Sequence, residues 1–235
     1  MKQFRVEEAF WELFPEAQLH LVVVKGINNQ KPQDERYLIN LLKDGKEAAK
    51  GYLTEDVFSQ NSVIKDWREA FSTFKTKKGA RSSIEALLKR VDQDRDFQPI
   101  NPLVDIYNSI SLTYALPCGG EDLQSIEGDL YLGIAAGGES FLPLGTESDA
   151  PALPGEIIYG DEKGAVCRCW NWREAQRTML TEETTDAVLV IESINPEQHQ
   201  RADKAVKELK RLVDVYFETE SHIEKIAKPS TSVSL

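Results

Sequence analysis

The chain changes its periodicity once, at Leu116-Pro117-Cys118-Gly119-Gly120, and that break constrains the fold more than any other feature. Before it, Asn101-Pro102 predicts a helix start, with asparagine as the cap and proline at the first helical position. Leu103, Ile106, Tyr107 and Ile110 then keep helical spacing until about Leu116, where Pro117 ends the helix. Gly119-Gly120 reads as a turn. After it come short apolar runs at 130–135, 140–144, 156–160, 164–170 and 187–192, separated by Gly- and Pro-rich turns.

Upstream of the break the chain reads as helical, at 6–13, 33–49, 55–60, 62–74 and 81–91, with one buried strand over 18–26. His20 in that strand reads as a structural histidine. Asn195-Pro196 opens a last helix, expected over 196–226, whose buried face runs from Ala202 to Phe217. These patterns predict one integrated α+β domain over 1–227: helix-rich to 116, strand-rich over 117–194, then the C-terminal helix. The Ser/Thr-rich tail 228–235 is expected to be disordered.

Composition narrows the function. No apolar run is long enough to span a bilayer, and the acidic N-terminal stretch does not read as a signal peptide. Three cysteines, 118, 167 and 169, form no disulfide framework and point to a reducing, cytoplasmic setting. Cys167 and Cys169 alternate along an expected strand, but no third and fourth ligand accompanies them, so neither a metal nor a cofactor is expected. A net charge of −11 argues against a general nucleic-acid binder, and no DNA partner is expected. The charge is uneven, however. Residues 65–90 carry eight basic side chains against three acidic ones, with Lys75, Lys77, Lys78 and Arg81 at their centre, whereas 139–162 carries only acids. The basic stretch is either an RNA-facing pole or a solvated helical face.

One tract concentrates chemistry: Cys167-Arg168-Cys169-Trp170-Asn171-Trp172-Arg173-Glu174. Indole and guanidinium faces stack on bases and aromatic ligands, and arginine forks onto carboxylate and phosphate. Strand alternation would send one of Trp170 and Trp172 into the core and the other to a groove. There is no G-x-S-x-G elbow, P-loop or dinucleotide fingerprint, and none of the three histidines lies near a nucleophile. Any catalysis would rest on a positioned water, polarised by amides, carboxylates, arginines and backbone donors.

Several further runs, taken in order, resemble one family. They are residues 81–90 (RSSIEALLKR), 99–108 (PINPLVDIYN), Leu116-Pro117, Asp122-Leu123, Glu127-Gly128, Ala136-Gly137-Gly138-Glu139 and 181–189 (TEETTDAVL). From about residue 80 to 192 the chain is similar to the tRNA-binding and editing domain of the phenylalanyl-tRNA synthetase β subunit. It looks like a free-standing form of that domain, in which the W-N-W-R-E tract is typical, and it shows no aminoacylation core.

The resemblance implies a three-layer β/β/α sandwich. It also implies hydrolysis of a mischarged aminoacyl-tRNA ester, with tRNA or aminoacyl-tRNA and an amino-acid-like small molecule as partners. The alternative it leaves is a non-catalytic RNA- or amino-acid-binding module on the same fold. Asn108 matches the family's pocket asparagine, and the threonine before it is Tyr107 here. Gly119 stands where the family has a pocket histidine. The family's pocket glutamate falls at Gln176 in direct register, with Glu174 the nearest carboxylate. These departures imply a pocket in a similar position with altered specificity. Glu174 and Asn108 are then the expected catalytic groups, and Trp170, Trp172, Arg173, Gly119, Gly120 and Gln176 the expected substrate contacts. Lys75, Lys77, Lys78 and Arg81 are the expected RNA contacts.

Overall fold

A computed structural model describes residues 2–235; Met1, the first residue of the expected domain, lies outside them. The elements run β1 (Gln3–Val6), α1 (Glu8–Leu13), β2 (Gln18–Val24), α2 (Arg36–Lys50), α3 (Ser62–Ser72), α4 (Ser83–Asp92), α5 (Pro102–Tyr114), β3 (Cys118–Asp122), β4 (Leu130–Ile134), β5 (Ile157–Gly160), β6 (Ala165–Arg168), β7 (Arg173–Glu174), β8 (Ala187–Ser193), α6 (Pro196–Phe217), β9 (His222–Ile226) and β10 (Ser232–Ser234). Among the described residues they form a six-stranded sheet, β10-β1-β4-β5-β6-β7, and a four-stranded sheet, β3-β8-β2-β9.

The central strands β2 and β8 are apolar throughout because both of their faces are covered. Leu19, Leu21, Val23, Val188 and Val190 face the six-stranded sheet and pack on Phe4, Leu130, Leu132, Ile157 and Val166. Val22, Val24, Leu189 and Ile191 face the other way, against Leu103, Ile106 and Ile110 of α5 and Ala202, Ala205 and Leu209 of α6. The result is the expected α+β sandwich: sheet, sheet, helices. His20 points to the helical side, where its Nε2 meets Asp203 Oδ1 at 2.9 Å.

Four expectations are corrected. Gly119-Gly120 is not a turn but part of edge strand β3, which pairs with β8. Gly120 is there for space, since a Cβ would sit 2.5 Å from Leu189 Cδ2. Residues 140–144 form no strand. They belong to a long connection that covers the outer face of the six-stranded sheet, with Phe141 buried among Ala135, Ala152 and Ile158. Buried Arg168 holds that connection, forking onto Glu156 (2.8 and 2.6 Å) and donating to the Ala150 carbonyl. The last helix stops at Phe217, where Glu218 takes left-handed φ (51°), and is followed by β9 rather than continuing to 226. The tail is also ordered: β10 pairs with β1, and the Leu235 amide donates to the Lys2 carbonyl at 2.9 Å. Smaller shifts occur at 3–6, a strand rather than the approach to a helix, and at Phe58–Gln60, a single 3-10 turn.

Candidate functional site

A cavity of about 480 Å³ opens where edge strand β3 approaches the β6–β7 turn and the start of α4. Each wall has its own source. α5 supplies Tyr107 and Asn108, and β3 supplies Cys118 to Glu121. The turn and β7 supply Asn171, Trp172, Arg173 and Glu174, and α4 supplies Ser83, Ala86 and Leu87. Val190 and Glu192 of β8, Leu130 of β4 and Tyr159 of β5 also line it, between the sheets.

The turn depends on a left-handed pair that most side chains avoid: Cys169 at φ 47° and Trp170 at φ 63°. The Trp170 ring repays that strain by anchoring the turn. It is fully buried, 4.7 Å from the Phe14 ring and 5.1 Å from those of Phe10 and Trp67. Trp170 is therefore a core residue and not a substrate contact. The backbone reverses after Arg168, so the two indoles do not alternate along one strand. Half-buried Trp172 does line the cavity, with the Arg173 guanidinium 4.8 Å from the centre of its ring. Between the indoles, Asn171 accepts from the Ser83 amide (3.1 Å) and donates to Glu192.

A family model described as the B3/4 domain matches residues 66–228. The chain belongs to the B3/4 domain family. The expected likeness to the phenylalanyl-tRNA synthetase β subunit stands with it. Among solved structures, the B3/4 chain is similar to an N-terminal fragment of the phenylalanyl-tRNA synthetase β subunit from Pyrococcus horikoshii. They share 11% identity at a TM-score of 0.50, over 96% of this chain and 54% of that one. This chain thus spans about half the length of that fragment, and at such identity the likeness is one of fold. No curated protein sequence matches.

Of the residues singled out from sequence, Asn108, Gly119, Gly120, Trp172, Arg173 and Glu174 line the B3/4 cavity together. Gln176 stands apart from it. Its Nε2 donates to the Pro143 and Thr146 carbonyls (2.6 and 2.8 Å), so the residue fastens the outer connection and is corrected as a substrate contact. Lys75, Lys77, Lys78 and Arg81 are exposed in the α3–α4 loop, and none lines the cavity. Their loop is nonetheless joined to the same wall, because the Lys77 amide donates to Cys169 Sγ at 3.4 Å. Arg81 instead borders a second hollow with Arg68 and Glu85.

Sequence reasoning missed two carboxylates of the B3/4 site, Glu121 and Glu192, both almost wholly buried. Glu192 accepts from the Tyr159 hydroxyl and from Asn171 Nδ2, yet burial pushes its carboxyl up to about 7. Burial likewise raises Glu174 to about 7, opposed by the Gly120 amide. Glu121 lies well above the carboxylate range, first from burial and then from the charge of Glu174. Burial also drives the Cys118 and Cys167 thiols upward, so they are neutral and weakly nucleophilic. Among the described residues no three His, Cys, Asp or Glu side chains are grouped to hold a metal ion, and no helix is long and apolar enough to cross a membrane.

Proposed function

We propose that this chain is a hydrolase of the ester that links an amino acid to tRNA. One observation carries the reading. Glu174, a carboxyl poised near neutral pH, shares a cavity with the Asn108 amide, on a fold similar to a synthetase β subunit. A general base is most effective when its pKa lies near the working pH.

An aminoacyl ester is already activated, so a held water and a stabilised oxyanion suffice. Ionised Glu174 takes a proton as the water oxygen adds to the ester carbonyl carbon. The Asn108 amide and the Arg173 guanidinium face the oxygen that gains charge. When the intermediate collapses, the carbon–oxygen bond to the ribose breaks. Glu174 returns the proton to the departing ribose oxygen, leaving a free amino acid and a free tRNA hydroxyl. The three free, buried cysteines suit work in a reducing compartment such as the cytoplasm.

The test is a deacylation screen across labelled aminoacyl-tRNAs at micromolar protein. Loss of label above the spontaneous rate is expected for at least one. Glu174→Gln and Asn108→Ala should each slow it by about tenfold or more, about 1.4 kcal/mol of transition-state stabilisation. One observation favours a second reading, a non-catalytic amino-acid or RNA module: no histidine lines the cavity. A screen with no loss of label on any tRNA leaves that reading in its place.

A further inference from the structure

The three carboxyls of the cavity are not equally satisfied. Glu192 has the Tyr159 hydroxyl on one oxygen and Asn171 Nδ2 on the other. Glu174 faces the Gly120 amide. Glu121 is only 6% exposed and lines the cavity, yet its enclosed Oε2 has no partner within hydrogen-bond distance, with the Thr178 hydroxyl the polar side chain beside the carboxyl. Buried carboxyl oxygens ordinarily have their lone pairs matched, and an unmatched one costs on the order of 1–3 kcal/mol.

No nearby cation pairs with Glu121. Arg177 forks onto Asp161 at 2.7 and 2.8 Å. Arg173 lines the cavity too, but it is exposed with its guanidinium over the Trp172 ring, and no lysine lines the cavity. The remaining lining includes the apolar side chains of Leu130, Val190 and Met179. Such a space matches a ligand with an apolar shaft and a cationic end. The ammonium would meet the Glu121 carboxyl where it lines the cavity, and its charge would favour the ionised form of Glu121 beside Glu174.

We propose that the cavity selects a ligand whose aliphatic chain ends in a primary ammonium, seated on Glu121 and Glu174. In an aminoacyl ester, this is the side-chain ammonium of a diamino acid. The ester part of that statement rests on the hydrolase reading; recognition of the ammonium does not.

Lysinamide and norleucinamide both carry an α-ammonium and nearly equal chains, and differ by the side-chain ammonium alone. Calorimetric titration of the intact protein should give lysinamide binding about tenfold tighter. Glu121→Gln, which keeps shape and cannot ionise, should bring the two within about twofold. Equal affinities, tighter binding of norleucinamide, or no binding of either amide at millimolar concentration overturns the proposal. So does a lysinamide preference that survives in both Glu121→Gln and Glu174→Gln. If Glu121→Gln does not fold, the wild-type pair and Glu174→Gln decide. A lysinamide preference without deacylation of any tRNA removes only the hydrolase reading. Deacylation of neutral aminoacyl-tRNAs without the preference removes only this one.

Discussion

Glu192 sits on a strand whose other side chains toward the six-stranded sheet, Val188 and Val190, are apolar. Its carboxyl is raised from 4.5 to about 7 by burial, so between those values the folded chain keeps a proton that the unfolded chain releases. The folded state is therefore favoured at low pH and loses that advantage as pH rises through about 7. Glu192→Gln removes the titration and keeps a partner for Tyr159. The variant should gain stability relative to wild type between pH 5 and pH 8, by up to about 3 kcal/mol. Denaturant melts at the two pH values check it; a constant difference contradicts the buried, raised carboxyl. In the sequence this residue was visible only as one acid closing an apolar run. The two indoles show why single residues read poorly. Trp170 and Trp172 share a type and a neighbourhood, but the left-handed backbone at Cys169 and Trp170 sends one into the core. No glycine marks that reversal.

Elements with strong local signals were readable. Asn101 caps α5 by accepting from the Val104 amide at 3.1 Å, and Asn195 caps α6 by accepting from Gln198 at 2.9 Å, each ahead of its proline. The strands β1, β3, β7, β9 and β10 were not, because they are two to five residues long and are held largely by main-chain pairing. Packing between helices was equally silent. Gly45 of α2 crosses α5 so closely that a Cβ would lie 2.9 Å from the Ser109 carbonyl oxygen and 3.2 Å from Leu112 Cβ. Backbone cannot yield as a side-chain end can, so Gly45→Ala should destabilise the fold by about 1–3 kcal/mol despite alanine's better helix propensity. It should also disturb Asn108, which precedes Ser109. Chemical denaturation reads the first effect, and amide chemical shifts along α5 read the second. A stabilised variant would show that the two helices part freely.

Over the whole molecule, the three layers were expected from the resemblance and agree with the helix-then-strand pattern. The grouping of six candidate residues depends on contacts between β3, α5 and the β6–β7 turn that no spacing announces. The basic stretch gives a test at this scale. Arg68 and Lys89 are paired to Glu85 and Asp92, whereas Lys77 and Lys78 are exposed and absent from the ion pairs. Reversing both to Glu should abolish tRNA binding at low salt, read by filter binding across a salt series; unchanged binding identifies a solvated face. The pairing of β10 with β1 carries its own consequence. A chain cut at residue 227, where the pattern placed the end of the domain, would keep its cavity but leave β1 without its outer neighbour. The exposed row of amides and carbonyls would be a template for another copy's strand, and such a chain should self-associate in light scattering where the 235-residue chain does not. Those last eight residues, polar enough to pass for a loose end, would then be the seal that keeps one molecule's sheet from continuing into the next.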